Sequence, residues 1–333
     1  MLQLKNDTPF AANIMLLPDA DGIDTVYAVV KATFSLRNGV ELADRQVPVA
    51  LTDQHYGDPQ TSSIRVPCDV SLGKRGTDVL VVGSAWAPGG QPVWQMDVSF
   101  TVGPIAKSLR VHGDRVWQES AGVSSIAWVA PFVRMPLVWE RAYGGADETP
   151  SGPTARPDNP VGAGFRLPNG AKPLAGMPLP NVESVDRLVT QWRDTPAPSG
   201  CAAIAPHWEP RKSYAGTYDD AWQTSRAPYL PRDFDARFFQ LAPTDQIAPA
   251  FFRGGEPVEL HGLTPSGSQR FTLPAARVSV LYRLASGEEQ REAVLDTVLV
   301  EPDDARLILV WRAALSCDKK TLTVKEVRTT VTS

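Results

Sequence analysis

The chain has 333 residues, of which 43% are hydrophobic, 33 are basic and 37 are acidic. This length allows two domains or one large all-β unit, and the ordinary hydrophobic share excludes disorder along the whole chain. The net charge is −4, and Lys and Arg form no dense run. A nucleic-acid-binding protein needs a basic surface to neutralise phosphates, so this class of protein is excluded.

The cysteines and the N-terminal sequence indicate a protein of the cytoplasm. Cys68, Cys201 and Cys317 are far apart, odd in number and include no Cys-x-x-Cys pair. They therefore favour buried thiols in a reducing compartment over disulfides or a zinc site. The first residues lack the apolar run and cleavage site of a signal peptide. No stretch approaches the ~20 apolar residues of a membrane helix, so we expect a cytoplasmic protein that does not bind membranes.

The N-terminal third of the sequence predicts strands. Apolar and polar residues alternate over residues 26–36, which predicts a half-buried strand. Residues 78–83 form a short apolar run typical of a fully buried strand, and residues 94–102 alternate again. The sequence His112-Gly113-Asp114 predicts the turn of a hairpin between residues 109–111 and 115–117.

The C-terminal part repeats this pattern. Strands are predicted over residues 277–283, 293–300, 306–311 and 322–331. The last of them carries Lys325, Glu326 and Arg328. It is interpreted as a sheet edge, which either accepts a strand from a partner or is protected from aggregation by these charges.

The middle of the chain has a different composition. Nineteen of the 30 prolines fall between Pro131 and Pro257, which excludes regular helix or central strand through much of this stretch. A disordered linker would be poor in aromatic residues, but this segment also holds Trp139, Phe165, Trp192, Trp208, Trp222, Phe234, Phe238, Phe239, Phe251 and Phe252. We interpret it as long ordered loops anchored on the β scaffold, and such loops are usually functional.

One short helix is predicted within these loops. Thr217 is placed at its N-cap, and the helix ends near Arg226, before Pro228.

These patterns together predict a mainly-β protein: a large antiparallel β-sandwich-like assembly with long ordered central loops, rich in Pro, Gly and aromatic residues, and few short helices. Residues 1–130 are expected to form an N-terminal β region, residues 131–260 the loop region, and residues 261–333 a C-terminal β region. The three are predicted to be one intertwined unit, with a split into two lobes near residue 130 as the alternative.

Motifs of catalysis and cofactor binding are weak. Gly162-Ala163-Gly164-Phe165 lacks the third glycine of a dinucleotide loop and favours a tight turn or a close backbone approach. The four histidines lack metal-ligand spacing, so neither a metal nor a cofactor is expected. Six carboxylates lie among the aromatic loops: Glu140, Glu209, Asp219, Asp220, Asp233 and Asp235. Paired carboxylates beside tryptophans are used by glycoside hydrolases, but Asp and Glu also cap turns and pair with arginine.

Several segments of the chain resemble one bacterial family, over about residues 2–310. The matching segments are residues 140–145, 159–165, 207–211, 216–222, 231–239, 245–246 and 254–258. The family is a domain of formerly unknown function, encoded beside type VI secretion genes. Its members are described as adaptors or chaperones for effectors that carry PAAR-like spike-tip domains.

The resemblance implies a protein that is not an enzyme. Its partners would be an effector with a PAAR-like domain and the spike protein, and the family supplies no catalytic residues. The candidate protein-binding and motif residues are Trp139, Glu140, Arg141, Tyr143, Gly144, Gly145, Asn159, Pro160, Gly162, Gly164, Phe165, His207, Trp208, Arg211, Tyr214, Gly216, Thr217, Tyr218, Asp219, Trp222, Asp233, Phe234 and Asp235.

Two interpretations of these aromatic loops stay open. Trp, Tyr and Arg are the residues that anchor protein interfaces. The alternative is that the aromatic rings form a small core that holds the loops, and for a single ring such as Trp139 or Trp222 burial is favoured. A hydrolase that acts on a glycan or a related substrate is the alternative function.

Overall fold

A computed structural model of the protein describes residues 2–168, 170, 173–318 and 321–332. The described residues form 25 strands, one short α-helix and seven 3₁₀ helices. The prediction of a mainly-β fold with few short helices is confirmed. Within the described ranges, no helix has the length and apolar character that crossing a bilayer requires.

The strands are named in chain order. Those of the N-terminal part are β1 (Gln3–Asn6), β2 (Ala11–Pro18), β3 (Asp24–Ser35), β4 (Glu41–Leu42), β5 (Gln54–His55), β6 (Ile64–Val66), β7 (Asp78–Val81), β8 (Ser84–Trp86), β9 (Gln95–Val102), β10 (Ile105–His112), β11 (Asp114–Ser120) and β12 (Val123–Ala130). Those of the central part are β13 (Arg134–Pro136), β14 (Tyr143–Gly144), β15 (Ala146–Thr149), β16 (Gly152–Ala155), β17 (Ala163–Gly164) and β18 (Val182–Ser184). Those of the C-terminal part are β19 (Pro257–His261), β20 (Ser268–Thr272), β21 (Arg277–Leu284), β22 (Gly287–Glu292), β23 (Val294–Glu301), β24 (Arg306–Ser316) and β25 (Val324–Thr332).

Helical segments are short. The α-helix, α1, is Asp220–Ser225. The 3₁₀ helices are Pro88–Gly90, Trp139–Arg141, Lys212–Tyr214, Ala236–Phe239, Thr244–Gln246, Pro302–Asp304 and Thr321–Thr323.

Three larger sheets organise the fold. The six-stranded sheet has the order β2-β3-β24-β23-β7, with β4 paired to β3, and therefore combines strands from both ends of the sequence. The five-stranded sheet has the order β18-β10-β9-β19-β20, and the four-stranded sheet has the order β1-β25-β21-β22. Pairing is mostly antiparallel, as predicted, except that β1/β25, β7/β23 and β14/β17 are parallel. The division into three regions stays a prediction.

The six-stranded sheet is buried on both faces. One face, with Val30 of β3 and Leu309 of β24, belongs to a core cluster shared with both other large sheets. The opposite face, with Val29 and Val310, packs on a second cluster built from the central loops. Loops therefore form a third layer over the sheet, and this layer carries the segments of the family resemblance.

This third layer corrects the prediction of a half-buried strand at residues 26–36. Strand β3 has its inner residues buried on both faces. Lys31, which the alternation places on the solvent side, is only 2% exposed, and its Nζ lies 2.7 Å from the Asp69 carboxylate. Buried charges are found where a partner neutralises them. In the sequence pattern, a buried lysine that has such a partner cannot be distinguished from a lysine that faces solvent.

The hairpin predicted around His112-Gly113-Asp114 is wrong. β10 pairs with β9 and β18, while β11 pairs with β12 and leaves the sheet. A Cβ at Gly113 would lie 2.1 Å from the Ala130 carbonyl oxygen, so the glycine allows a close crossing instead of a hairpin turn. His112 ends β10 as a buried residue.

Buried His112 predicts a pH-dependent stability. Its Nε2 lies 2.9 Å from Glu183, Arg115 and Arg110 lie nearby, and burial lowers the pKa of the imidazole. The unfolded chain then binds a proton near pH 6.5 that the folded chain does not bind, so stability falls as pH falls from 7 towards 5, by at most about 1.4 kcal/mol per pH unit.

Urea denaturation at several pH values measures this slope. His112→Gln should flatten it, whereas His261→Gln, at a half-exposed site, should leave it unchanged. An equal slope in His112→Gln and the wild type would contradict the assignment.

The remaining strand predictions have clear outcomes. Strand β7 is fully buried, and β21, β23 and β24 lie where the alternation predicts them. The final strand, β25, is not a sheet edge, because it lies between β1 and β21. Arg328 and Glu326 of this strand take part in side-chain ion pairs within the sheet.

Candidate functional site

The segments of the family resemblance divide into a buried part and an exposed part. We name the first the buried layer: Trp139, Tyr143, Asn159, Trp208 and Arg211, all of which lie in the protein interior. These side chains hold the loops against the six-stranded sheet. In this conformation they are not accessible to a partner.

Two tryptophans form the centre of the buried layer. The rings of Trp139 and Trp208 meet edge to face with 6.3 Å between their centroids. The indole of Trp139 donates to the Ala203 carbonyl, and that of Trp208 donates to His207 Nε2. Both indole nitrogens have partners, as buried tryptophans require, and His207 serves a structural hydrogen bond.

Asn159 and the glycines close the backbone around these rings. The amide of Asn159 donates to the carbonyls of Trp139 and Tyr143 at 2.9 and 3.0 Å. A Cβ on Gly162 would lie 2.4 Å from the Asn159 amide nitrogen, and one on Gly144 would lie 2.2 Å from its carbonyl oxygen. The glycines therefore serve a close backbone approach, as predicted for residues 162–165, and Pro160 lies in the turn between them.

Other motif residues connect the loops to each other. Glu140 accepts hydrogen bonds from the backbone N–H and the hydroxyl of Ser63, both at 2.7 Å. Arg141 donates to the Asn181 side chain. Arg211 donates to the carbonyls of Ile204 and Phe238, which connects the buried layer to the exposed part. Phe165 is half-buried and packs on a small cluster around Tyr143, while Gly145 and Gly164 have positive φ angles.

The exposed part is a compact segment, residues 214–239, which we name the arm. It contains α1 and the 3₁₀ helix Ala236–Phe239. Its aromatic residues are Tyr214, Tyr218, Trp222, Tyr229, Phe234, Phe238 and Phe239. None of these seven side chains is fully buried, and Tyr218 and Tyr229 are 53% and 37% exposed.

Side-chain caps fix the backbone of the arm. Asp233 accepts from both the backbone N–H and the hydroxyl of Thr217. Asp219 accepts from the Trp222 N–H at 2.8 Å and is the N-cap of α1. The predicted cap, Thr217, is therefore wrong by two residues, because its hydroxyl is occupied by Asp233. Gly216, with φ of +80°, allows the turn that brings these residues together.

Aromatic and charged contacts complete the arm. The rings of Tyr218 and Trp222 lie 4.7 Å apart, and the Trp222 indole donates to the Tyr229 carbonyl. Arg237 lies over the Tyr214 ring at 4.2 Å and also donates to Asp235. Hydrogen bonds from Arg237 lower the pKa of Asp235 to about 2, so the pair is charged at neutral pH.

The arm touches the rest of the protein at the turn between β2 and β3. Arg226 donates to the Ala20 carbonyl at 2.8 Å, and a Cβ on Gly22 would lie 3.1 Å from the Tyr229 ring. Sequence analysis named Arg226 only as the end of the predicted helix and did not single out Tyr229 or this turn. One signal could have indicated an exposed segment: residues 214–239 contain many charged side chains, whereas residues 197–208 contain none.

A cleft with a volume of about 700 Å³ lies at the border of the buried layer. Lys107 and Asp245 line it, and the Lys107 ammonium contacts Asp245 and the Gly200 carbonyl. Of the six carboxylates considered for a hydrolase, only Glu209 lines this cleft among the described residues. Glu209 binds the Ser213 hydroxyl, and Glu140, Asp219, Asp233 and Asp235 have the structural partners named above. The hydrolase stays an untested alternative.

Among the described residues there is neither a metal site nor a disulfide. Within the described ranges, His, Cys, Asp and Glu form no group of three that could hold a metal ion. The three cysteines are free thiols, with Cys201 and Cys317 buried and Cys68 half-buried.

Comparison with known families gives a match over most of the chain. A family model described as "Uncharacterized protein conserved in bacteria (DUF2169)" matches residues 21–312. The chain belongs to the DUF2169 family. No curated protein and no solved structure matches the chain.

The DUF2169 match covers both the buried layer and the arm. It begins at residue 21, in the turn that contacts the arm, so β1 and β2 lie before the matched residues. The description of the family assigns it no activity.

Proposed function

We propose that this DUF2169 protein is a cytoplasmic adaptor or chaperone that binds a type VI secretion effector with a PAAR-like domain and helps to load it on the spike. The arm is the surface that contacts the effector. The supporting observation is the rigid display of exposed aromatic side chains, led by Tyr218 and Tyr229. The resemblance described under Sequence analysis supplies the class of the partner.

The arm has the physical properties of a protein-binding surface. Aromatic and arginine side chains supply much of the energy of protein interfaces, and Arg226 and Arg237 lie beside the exposed rings. The caps at Asp219 and Asp233 hold the backbone before a partner arrives. Little conformational entropy is then lost on binding, which favours affinity.

This role is not enzymatic. Three carboxylates of the arm, those of Asp219, Asp233 and Asp235, are engaged in caps and ion pairs. These carboxylates stabilise the backbone conformation of the arm, because each cap fixes the N–H group that it accepts from.

The arm predicts a strong effect of Tyr218→Ala on binding. Loss of this exposed ring should weaken the complex with the effector's PAAR-like domain by about 30-fold, which corresponds to ~2 kcal/mol. Calorimetric titration of the co-expressed effector domain measures the change. The midpoint of thermal unfolding should stay close to that of the wild type, because the side chain is largely exposed.

Tyr56→Ala is the matched control, since Tyr56 is 48% exposed and lies outside the arm. It should bind with the affinity of the wild type. Failure of effector and spike protein to co-purify with the wild type, or an equal loss in the two variants, would contradict the proposal.

A further inference from the structure

Strand β2 is an edge strand with unusual composition. It pairs with β3 along its whole length, from Ala11↔Lys31 to Pro18↔Asp24, and in the described part of the chain no strand pairs with its other side. Its sequence, AANIMLLP, contains no charged residue. Leu16 is 49% exposed.

The direction of the β2 backbone groups follows from the adjacent turn. The Asp19 N–H donates to the Ile23 carbonyl, which continues the β2–β3 register. Because hydrogen-bonded pairs alternate in an antiparallel ladder, the odd-numbered residues of β2 bond to β3. The N–H groups of Ala12, Ile14 and Leu16 therefore point away from the sheet. That of Ile14 bonds to the Asn13 side chain, which confirms this direction and leaves Ala12 and Leu16 as donors.

The other edges of the three large sheets are covered or charged. Loop residues bond to β7, where the Val81 N–H donates to the Cys201 carbonyl, and Ala142 bridges to β18. Strands β1, β20 and β22 carry Lys5, Arg270 and a run of Glu and Arg residues. Natural proteins protect edges by cover and by charge, and β2 has neither device.

The free edge of β2 is continuous with the arm. Strand β2 ends at Pro18, and the turn that follows it contacts the arm through Ala20 and Gly22. The exposed side chains of Leu16 and Tyr229 therefore flank one short turn. The arm and the β2 edge are therefore connected through one short turn.

We propose that β2 accepts an extended segment of the effector as an additional strand of the six-stranded sheet. This inference rests on the proposed function, because it assigns the binding mode of the same partner. The segment is uncharged and apolar, since it must pair with an uncharged edge whose side chains Ile14 and Met15 pack on the two core clusters. Backbone hydrogen bonds supply affinity in this mode, and alternate side chains supply selectivity.

Hydrogen exchange at single amides tests the proposal directly. In the free protein, the N–H groups of Ala12 and Leu16 should exchange rapidly, and those of Met15 and Leu17 slowly. In the complex with the effector's PAAR-like domain, Ala12 and Leu16 should become protected at least tenfold. Slow exchange of Ala12 and Leu16 in the free monomer would overturn the inference, because the edge would already be covered.

A proline at position 16 tests the backbone contribution. Leu16→Pro removes an outward N–H and leaves the ladder to β3 intact, as proline at an edge position does. It should weaken the complex about tenfold, because one backbone hydrogen bond to the added strand is lost and the proline ring obstructs the edge of β2. Leu16→Thr is the control: it removes the apolar side chain but keeps the N–H and a high strand propensity, and it should bind within about threefold of the wild type.

The outcomes separate the two proposals. Wild-type affinity in Leu16→Pro with unprotected β2 amides, together with a weak Tyr218→Ala complex, would overturn the β2 inference and leave the function in place. No complex at all would overturn both. A dimer in sedimentation experiments that Leu16→Pro dissociates would make a second copy the occupant of β2, which also overturns the inference.

Discussion

Replacing Trp208 with alanine is expected to lower the free energy of unfolding by about 3–5 kcal/mol. Its side chain is only 1% exposed, packs edge to face on Trp139 and donates to His207. The substitution leaves a large cavity between the loop layer and the six-stranded sheet, and the surrounding side chains cannot fill it without strain. Urea denaturation followed by circular dichroism of the backbone, rather than by tryptophan fluorescence, measures the loss.

Trp94→Ala is the control for this experiment. Trp94 is 48% exposed, so its removal opens no interior cavity and should cost less than about 1 kcal/mol. Equal losses in the two variants would mean that the buried layer is not part of the cooperative core. A loss in Trp208→Ala confined to the loop layer would appear as a lower denaturant slope.

Replacing Lys74 with methionine should have an effect of similar size. The Lys74 ammonium is buried 2.8 Å from Asp78, 3.1 Å from Asp296 and 2.7 Å from the Thr297 hydroxyl. Burial alone would lower the pKa of this ammonium. The negative charges of Asp296 and Asp78 raise the pKa by more than burial lowers it, so the net shift is upward and Lys74 stays charged. Its removal leaves two buried carboxylates without their shared cation, at a cost of about 3–5 kcal/mol.

A double-mutant cycle checks this assignment. Asp78→Asn should destabilise the wild type more than it destabilises the Lys74→Met variant, because the charge it removes is already uncompensated there. As a surface control, Arg110→Met breaks an exposed pair with Asp97 and should cause a much smaller loss. Additive losses for Lys74 and Asp78 would refute a shared buried charge cluster.

Strand periodicity predicted the β framework because one physical rule dominates there. Alternation at residues 277–283 marks β21, and the apolar run at residues 78–83 marks β7. The errors arise where another contact replaces solvent. Lys31 has the sequence signature of an exposed residue but pairs with buried Asp69, and no local pattern reveals a partner 38 positions away. Gly113 lets the backbone pass close to Ala130, but its sequence context is the same as that of a hairpin turn.

The sequence predicts the loop segment as a region, but it does not predict which of its side chains face solvent. The density of proline and aromatic residues indicated long loops with few short helices, and the structure has long loops with short strands and 3₁₀ helices there. Which rings face solvent depends on contacts between residues distant in the sequence: Trp139 and Trp222 lie in the same aromatic-rich segment, but the first is buried and the second half-buried. The contact of the arm with Ala20 joins segments 206 positions apart, which sequence reasoning could not reach.

The pairing of β3 with β24 has a consequence for synthesis. Strand β3 ends at Ser35, and its central neighbour begins at Arg306. At roughly 5–20 residues per second, a ribosome needs on the order of tens of seconds to make the chain between them. During this interval β3, whose inner residues are buried on both faces in the folded protein, lacks its neighbour in the sheet. Until β24 is made, β3 lacks the partner that covers its backbone, so the nascent chain is expected to be a substrate of cellular chaperones.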